Sequence, residues 1–308
     1  MKTLLIHNLQ AGQRDRRREV AAAASRLSAA GWEVELVCTT RIEEGERLCR
    51  TAVESCVDSV VVAGGDGSLN VAIQALADPN PEAQRPALGV LPCGTGNVWA
   101  REMRVPLDFP GATEVLLSGE TARVDLGEAN GRYFLCVASV GFDASVTRGI
   151  DQRAKRRLGM LAYAIAAAAE ALRLRGEDVI ITADGKVSRQ RVLMVLANNT
   201  RLYGGGIKMA PNALADDGLL DIRVFRGHGL AAAARHAVNV LLVRQLRDPA
   251  MDFFQCSSIS LESQASLPVQ LDGDYFGTTP VTFRAVPRAV RVIIPPGRHP
   301  QFRASGGE

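Results

Sequence analysis

The stretch Ser59–Asn70, SVVVAGGDGSLN, decides how this chain is read. An unbroken apolar run rich in valine reads as a strand buried on both faces, the pattern of a parallel sheet. It stops at Gly64-Gly65-Asp66-Gly67-Ser68 and passes into NVAIQAL, whose apolar positions recur at helical spacing from Leu69 onward. An ordinary strand-to-helix turn needs one Gly or Asn. Three glycines around an acid let backbone approach an anionic group, and the free N–H groups and positive dipole end of the next helix favour phosphate. A carboxylate at Asp66, beside such phosphates, can hold Mg²⁺ directly or through water.

Working outward, ALGVLP is followed by Cys93-Gly94-Thr95-Gly96-Asn97, a second Gly-rich loop that opens the helix VWARE. Asn8 to Gly12 follows the first strand, TLLIHN, and Thr40 ends the second, WEVELVCT. Helical patterns over Arg14 to Ala30 and Glu43 to Val57 separate these strands, and such alternation requires a parallel sheet with crossover helices. All four loops then fall at the rim where α/β folds bind ligands. No G-K-S/T and no G-x-G-x-x-G after the first strand is present, so neither a Walker A loop nor a Rossmann fingerprint accounts for the site.

From Arg123 the texture changes to longer strand runs with hairpin signals, VDLGEA with Asn130-Gly131 and DVIITA with Asp184-Gly185. Helices are expected from about Ala154 to Arg175 and from Leu230 to Leu246, before LPVQLDG, VTFRAV and AVRVIIP return to strand pattern. The expected fold is α/β: an N-terminal parallel nucleotide-binding domain over 1–122, and a C-terminal antiparallel β-sandwich with helical insertions over 123–296. The tail, 297–308, is expected to pack back on the first domain and to fray from Arg303.

The 308 residues carry 36 Lys plus Arg against 33 Asp plus Glu, a net charge of +3 that does not suit a nucleic-acid partner. Apolar stretches around Leu161 to Leu174 and Leu230 to Val243 are broken by Glu170, Arg173, Arg235 and His236, so no transmembrane helix is expected. MKTLLIHNLQAG lacks the apolar region and cleavage pattern of a secreted precursor. The chain is read as cytoplasmic, with docking at the inner membrane surface through Arg153, Lys155, Arg156 and Arg157, and a homodimer, left open. Six cysteines without a C-x-x-C pair and four histidines without ligand spacing leave the chemistry to carboxylates.

GGDGS followed by LPCGTGN resembles the diacylglycerol kinase catalytic domain family, in particular its soluble bacterial lipid kinase branch. Three later segments fit the same family in order: NTRLYGGG (Asn199 to Gly206), PNALADDGLLD (Pro211 to Asp221) and LDGD (Leu271 to Asp274). The resemblance implies a nucleotide domain shared with NAD kinases and phosphofructokinases, and an acceptor lipid bound between the two domains. It further implies that Asn8 to Gly12, Thr40, Gly64, Gly65, Asp66, Gly67, Ser68, Leu69, Asn70 and Thr95 contact ATP. Asp217 and the carbonyls of Leu214 and Leu219 would ligate Mg²⁺, main-chain and carboxylate oxygens being what a hard cation prefers. Asp274 stands where the family has its proton-accepting Glu, Asp272 lies beside it, and Asp125 would complete the acidic cluster.

Three departures stand out: Val98 replaces an Asp, Leu9 replaces a Pro, and Asp274 is one methylene shorter than Glu. Taken alone, Asp272-Gly273 is an ordinary hairpin pair. The expected function is ATP- and Mg²⁺-dependent phosphorylation of a diacylglycerol-like lipid hydroxyl by a lipid kinase acting peripherally at a membrane surface. The alternatives are an NAD kinase, or a nucleotide- or lipid-binding regulator without turnover.

Overall fold

Val60, Val61 and Val62 are buried at the centre of β3 (Ser59–Gly64), and each contributes about 1.5–3 kcal/mol of apolar burial. The computed structural model describes residues 1–80, 83–149, 175–241, 248–297 and 299–303. β3 runs parallel to β1 (Lys2–Asn8) on one side and β4 (Ala87–Pro92) on the other, with Leu5 opposite Val61 and Val61 opposite Gly89. β2 (Glu33–Thr39) extends the sheet beyond β1. The resulting order, β4-β3-β1-β2, reverses direction between β1 and β3, the switch point at which such sheets open a crevice.

The crossovers are α1 (Arg17–Ala29), α2 (Ile42–Glu54) and α3 (Asp66–Leu76), followed by α4 (Val98–Glu102) and α5 (Phe109–Ser118). α1 packs with α5 and α2 with α3, one pair to each face of the sheet. The helix expected from Leu69 begins three residues earlier. Gly65 is its N-cap, and the Gly65 carbonyl accepts from the N–H groups of Ser68 and Leu69. Asp66, Gly67 and Ser68 therefore form the first turn of the helix itself, which sets the N–H groups of Asp66 and Gly67 at the rim.

The second lobe contains β5 (Glu120–Ala129), β6 (Arg132–Phe134), β7 (Val137–Gly141), α6 (Phe142–Gly149), β8 (Glu177–Ala183) and β9 (Lys186–Asn198). There follow β10 (Leu202–Tyr203), a 3₁₀ turn at Gly204–Gly206, β11 (Ile207–Lys208), β12 (Leu220–Arg226) and α7 (Gly229–Leu241). β13 (Met251–Cys256), β14 (Ser258–Ser263), β15 (Pro268–Leu271), β16 (Asp274–Thr278) and β17 (Val281–Ile294) complete it. The hairpin signals fold as their chemistry requires: Asn130-Gly131 and Asp184-Gly185 both hold positive φ at both positions. The antiparallel strands enclose a second core in which Phe134 and Phe283 meet edge to face, 6.1 Å apart.

VTFRAV and AVRVIIP, two runs in the sequence, are one strand. β17 shifts register between Val286 and Val290, around Pro287, which has no N–H to donate. It pairs with β14 and β5, and Val292 reaches Leu88 of β4, so one strand closes the parallel sheet and enters the sandwich. Among the described residues, fifteen strands share that hydrogen-bonded network. The helix expected from Ala154, its basic cluster and residues 304–308 of the tail lie outside the described residues, as do 242–247 beyond α7. Arg303, where fraying was expected to begin, donates instead to Asp216 and the Asp217 carbonyl. No helix among the described residues is long and apolar enough to cross a membrane.

Candidate active site at the seam between the lobes

The three Gly-rich loops meet because their glycines lack Cβ atoms. A Cβ on Gly94 would lie 2.6 Å from Gly65 Cα, and one on Gly12 would lie 2.1 Å from the Cys93 carbonyl oxygen. Gly12 also needs its positive φ of 73°. Asn8 Nδ2 donates to Ser68 Oγ at 2.8 Å across the switch point, and its own Oδ1 accepts from Gln10 N–H. Asn97 closes the second loop on itself, accepting from Gly94 N–H and donating to the Gly94 carbonyl.

Asp66 joins two of these loops. Its Oδ1 accepts from Trp99 N–H at 3.0 Å, capping α4, and its Oδ2 would lie 3.3 Å from a Cβ on Gly96. Thr95 is exposed at the loop tip. Thr40 is also exposed, its N–H held by Glu44, while Thr39 is the buried member of that pair. Leu69 is buried in the core behind the loop, so its backbone is what it offers at the rim.

The LDGD segment faces this rim from the second lobe. Asp272 and Gly273, with φ of 48° and 84°, turn the chain between β15 and β16. The Asp272 carboxylate is filled: Oδ1 accepts from the N–H groups of Cys136 and Val137, and Oδ2 from Leu135 N–H and Asn70 Nδ2. Burial pushes its carboxyl above the usual range, opposed by those donors. Asn70 belongs to α3, so this acid fastens the turn to that helix. Asp274, by contrast, is exposed, and its Oδ2 lies 3.9 Å from where a Cβ on Gly67 would be. The two motifs read in the sequence therefore face each other.

The ADDGLL segment forms a second acidic cluster. Asp125, fully buried on β5, accepts from Gly218 and Arg288 N–H, each at 2.6 Å. Asp217 Oδ1 accepts from Leu219 N–H in an Asx turn, and Gln255 donates to Asp221 Oδ2 at 3.1 Å. Burial raises all three carboxyls; that of Asp221 reaches about 6, and Asp217 adds to it. Asp221 Oδ1 is buried without a hydrogen-bond partner. Among the described residues no three acidic, histidine or cysteine side chains lie close enough to hold a metal ion by themselves, so a hard cation here would need main-chain oxygens beside the Asp217 carboxylate. The cluster connects to the first one: Asn199 Nδ2 donates to the carbonyls of both Asp125 and Leu135. The tail also reaches this loop, for Arg303 donates to the Asp217 carbonyl and Gln301 accepts from Ala215 N–H.

Sequence reading passed over two acids, one across the seam and one within the second lobe. Glu102 of α4 is wholly buried and accepts from Arg201 Nε at 2.7 Å and Leu202 N–H at 2.9 Å. Asp143, two residues after β7, accepts from Ser139, Gln270 and Tyr203. The available signal was an acid two residues beyond a buried strand, in VASVGFD.

Two family descriptions match the chain in tandem. Residues 2–129 match the Diacylglycerol kinase catalytic domain, and residues 136–294 match the YegS C-terminal NAD kinase beta sandwich-like domain. The chain belongs to the diacylglycerol kinase catalytic domain family, in its bacterial branch. A Diacylglycerol kinase of Bacillus subtilis (strain 168) is 28% identical, covering 94% of this chain and 95% of its own. That of Staphylococcus aureus (strain bovine RF122 / ET3-1) is 29% identical, covering 94% and 91%. A crystal structure from Bacillus anthracis str. Sterne, assigned to the diacylglycerol kinases, superposes with a TM-score of 0.82 at 27% identity, covering 96% of this chain and 95% of that one. As a member of this family the chain is a lipid kinase, a phosphotransferase with an alcohol acceptor.

Proposed function

We propose that this lipid kinase transfers the γ-phosphate of ATP to the hydroxyl of a diacylglycerol-like lipid, and that Asp274 is its general base. The observation that carries this reading is the placement of the exposed Asp274 carboxylate opposite Gly67 of the Gly-Gly-Asp-Gly turn. Phosphoryl transfer needs positioning and charge neutralisation more than covalent chemistry. Backbone N–H groups at Gly65, Asp66 and Gly67 would cradle phosphate, with Asn8, Gly12, Thr40, Asn70 and Thr95 around the rest of the nucleotide. Gly64, Ser68 and Leu69 would shape the turn behind them, since the Ser68 and Leu69 N–H groups already donate to the Gly65 carbonyl.

Four donors occupy the Asp272 carboxylate, which supports anchoring as its role and leaves Asp274 as the proposed base. An alcohol's pKa lies far above a carboxylate's, so Asp274 orients the hydroxyl and takes its proton late. Asp217, with the Leu214 and Leu219 carbonyls, would hold Mg²⁺. When bound, that ion neutralises charge in the cluster with Asp125 and Asp221. Action on a lipid places the enzyme peripherally at a membrane surface.

A panel of lipids in mixed micelles with labelled ATP, run beside NAD, tests the reading. Phosphorylated diacylglycerol is the expected product; phosphorylation of NAD alone, or of nothing, overturns it. Asp274→Asn should lower kcat by roughly 10²- to 10⁴-fold with nucleotide affinity nearly intact, and Asp274→Glu should retain activity. An active Asn variant with an inactive Glu variant would mean that Asp274 is a turn residue.

A further inference from the structure

Asp143 is the second residue of α6, placed there by a chain reversal at Gly141, whose φ is 98°. Its carboxylate collects side chains from three other elements. Oδ2 accepts from Ser139 Oγ of β7 at 2.5 Å and Gln270 Nε2 of β15 at 2.9 Å, and Oδ1 accepts from the Tyr203 hydroxyl of β10. A carboxylate only accepts, so Asp143 can be met solely by the NH₂ end of the Gln270 amide. The other end is thereby fixed: Gln270 Oε1 points at the turn and accepts from Gly273 N–H at 2.6 Å. Gln270 and Ser139 are buried, 1% and 0% exposed, so water does not substitute for either bond.

We propose that Asp143 is a positioning residue of the kinase: through Gln270 it holds the Asp272–Asp274 turn, and hence the Asp274 carboxylate, against the Gly-rich rim. This rests on the assignment of Asp274 as the base. The second arm of the same carboxylate strengthens it. Tyr203 adjoins the 3₁₀ turn Gly204–Gly206, which packs on α4, the helix opened by the Gly94–Asn97 loop. One side chain thus ties the base-bearing turn to the element that follows a nucleotide-type loop.

The test is Asp143→Leu, which keeps much of the volume and removes both acceptor oxygens. Asp143→Asn would not serve alone, since its oxygen can stay toward Gln270 while its NH₂ donates to the Tyr203 hydroxyl. In Asp143→Leu the Gln270 NH₂ loses its acceptor, the amide is no longer held in one orientation, and Gly273 N–H loses its fixed acceptor. Amide exchange at Gly273 should then rise by about tenfold or more, while the turns at Gly131 and Gly185 exchange as before. In lipid kinase assays kcat should fall about 10- to 100-fold, with KM for ATP within about twofold. In an Asp274→Asn background, Asp143→Leu should cost less than about twofold further, because both act through one turn. Asp143→Asn combined with Gln270→Glu should keep both protection and turnover, because the carboxylate introduced on β15 accepts from the amide introduced on α6 and from Gly273 N–H alike.

Unchanged exchange at Gly273, a loss that multiplies with Asp274→Asn, or a double variant as impaired as Asp143→Leu each overturns the proposal. A wild-type enzyme that phosphorylates no lipid sinks the kinase reading instead, and exchange at Gly273 then decides the structural half by itself.

Discussion

At the residue scale, two aspartates separated by one glycine do opposite work, and only their surroundings distinguish them. Asp272 serves the three N–H groups of Leu135, Cys136 and Val137, whereas Asp274 is exposed. Asp272→Asn should therefore cost about 3 kcal/mol or more in urea denaturation, by stranding buried donors. Asp274→Asn should stay within about 0.5 kcal/mol of wild type; equal losses would erase the distinction. The sequence could not separate them, because the Asp272 donors lie 135 to 202 residues away along the chain. His7 gives a second expectation. Buried at 3% exposure, its imidazole is held below 6.5 chiefly by desolvation, with Asp15 opposing. A base depressed in the folded state stabilises above the unfolded pKa and loses that contribution as pH falls. Between about pH 7 and pH 5 wild type should thus lose Tm relative to His7→Gln, a difference that sets aside the opposite contribution of the raised Asp221 carboxyl. Parallel curves for the two proteins over that span would place His7 elsewhere than in the core.

At the element scale, what is locally encoded was legible. Asn130-Gly131 and Asp184-Gly185 make their turns because positive φ is a property of two residues, and the valine run of β3 is buried as its composition requires. The start of α3 was misplaced because Gly65 caps through its backbone, which leaves no side-chain signature. Two glycines should respond oppositely to alanine. Gly45 lies inside α2 with its nearest neighbour, Val71, 3.7 Å from an added Cβ, so Gly45→Ala should stabilise by about 0.5–1 kcal/mol. Gly94→Ala would place its Cβ 2.6 Å from Gly65 Cα and 2.8 Å from Asn97 Oδ1. It should destabilise by about 1–3 kcal/mol and, under the proposed nucleotide site, weaken ATP binding, because the contact between the two Gly-rich loops is forced open. Calorimetry and nucleotide titration read both, and a Gly94→Ala protein that binds ATP as wild type would remove that loop from the site.

At the scale of the whole molecule, the change of texture near residue 122 was visible in sequence, but the extent to which the lobes share structure was not. β17 departs from the second lobe and ends beside β4 of the first, and the pairing of Val292 with Leu88 joins residues more than two hundred positions apart, beyond any local pattern. Glu102 with Arg201, and Gln74 with both the N–H and carbonyl of Tyr133, add polar ties across the same seam. Breaking the buried pair by Glu102→Ala should cost about 3–5 kcal/mol, and because the lobes share strands it should shift one transition and not split it into two. A fragment of residues 1–129, which matches the catalytic domain family end to end, sharpens the point. Without β17, β4 becomes an edge strand whose row of N–H and C=O groups faces water. β5, whose pairing partners among the described residues are β17 and β6, loses both. Val290, Val292 and Ile293 are also removed from the first core. The fragment should therefore show no cooperative melt and should associate through the exposed edge, which light scattering would detect. A monomeric fragment with a sharp transition would mean that the parallel sheet stands alone and that β17 only docks upon it.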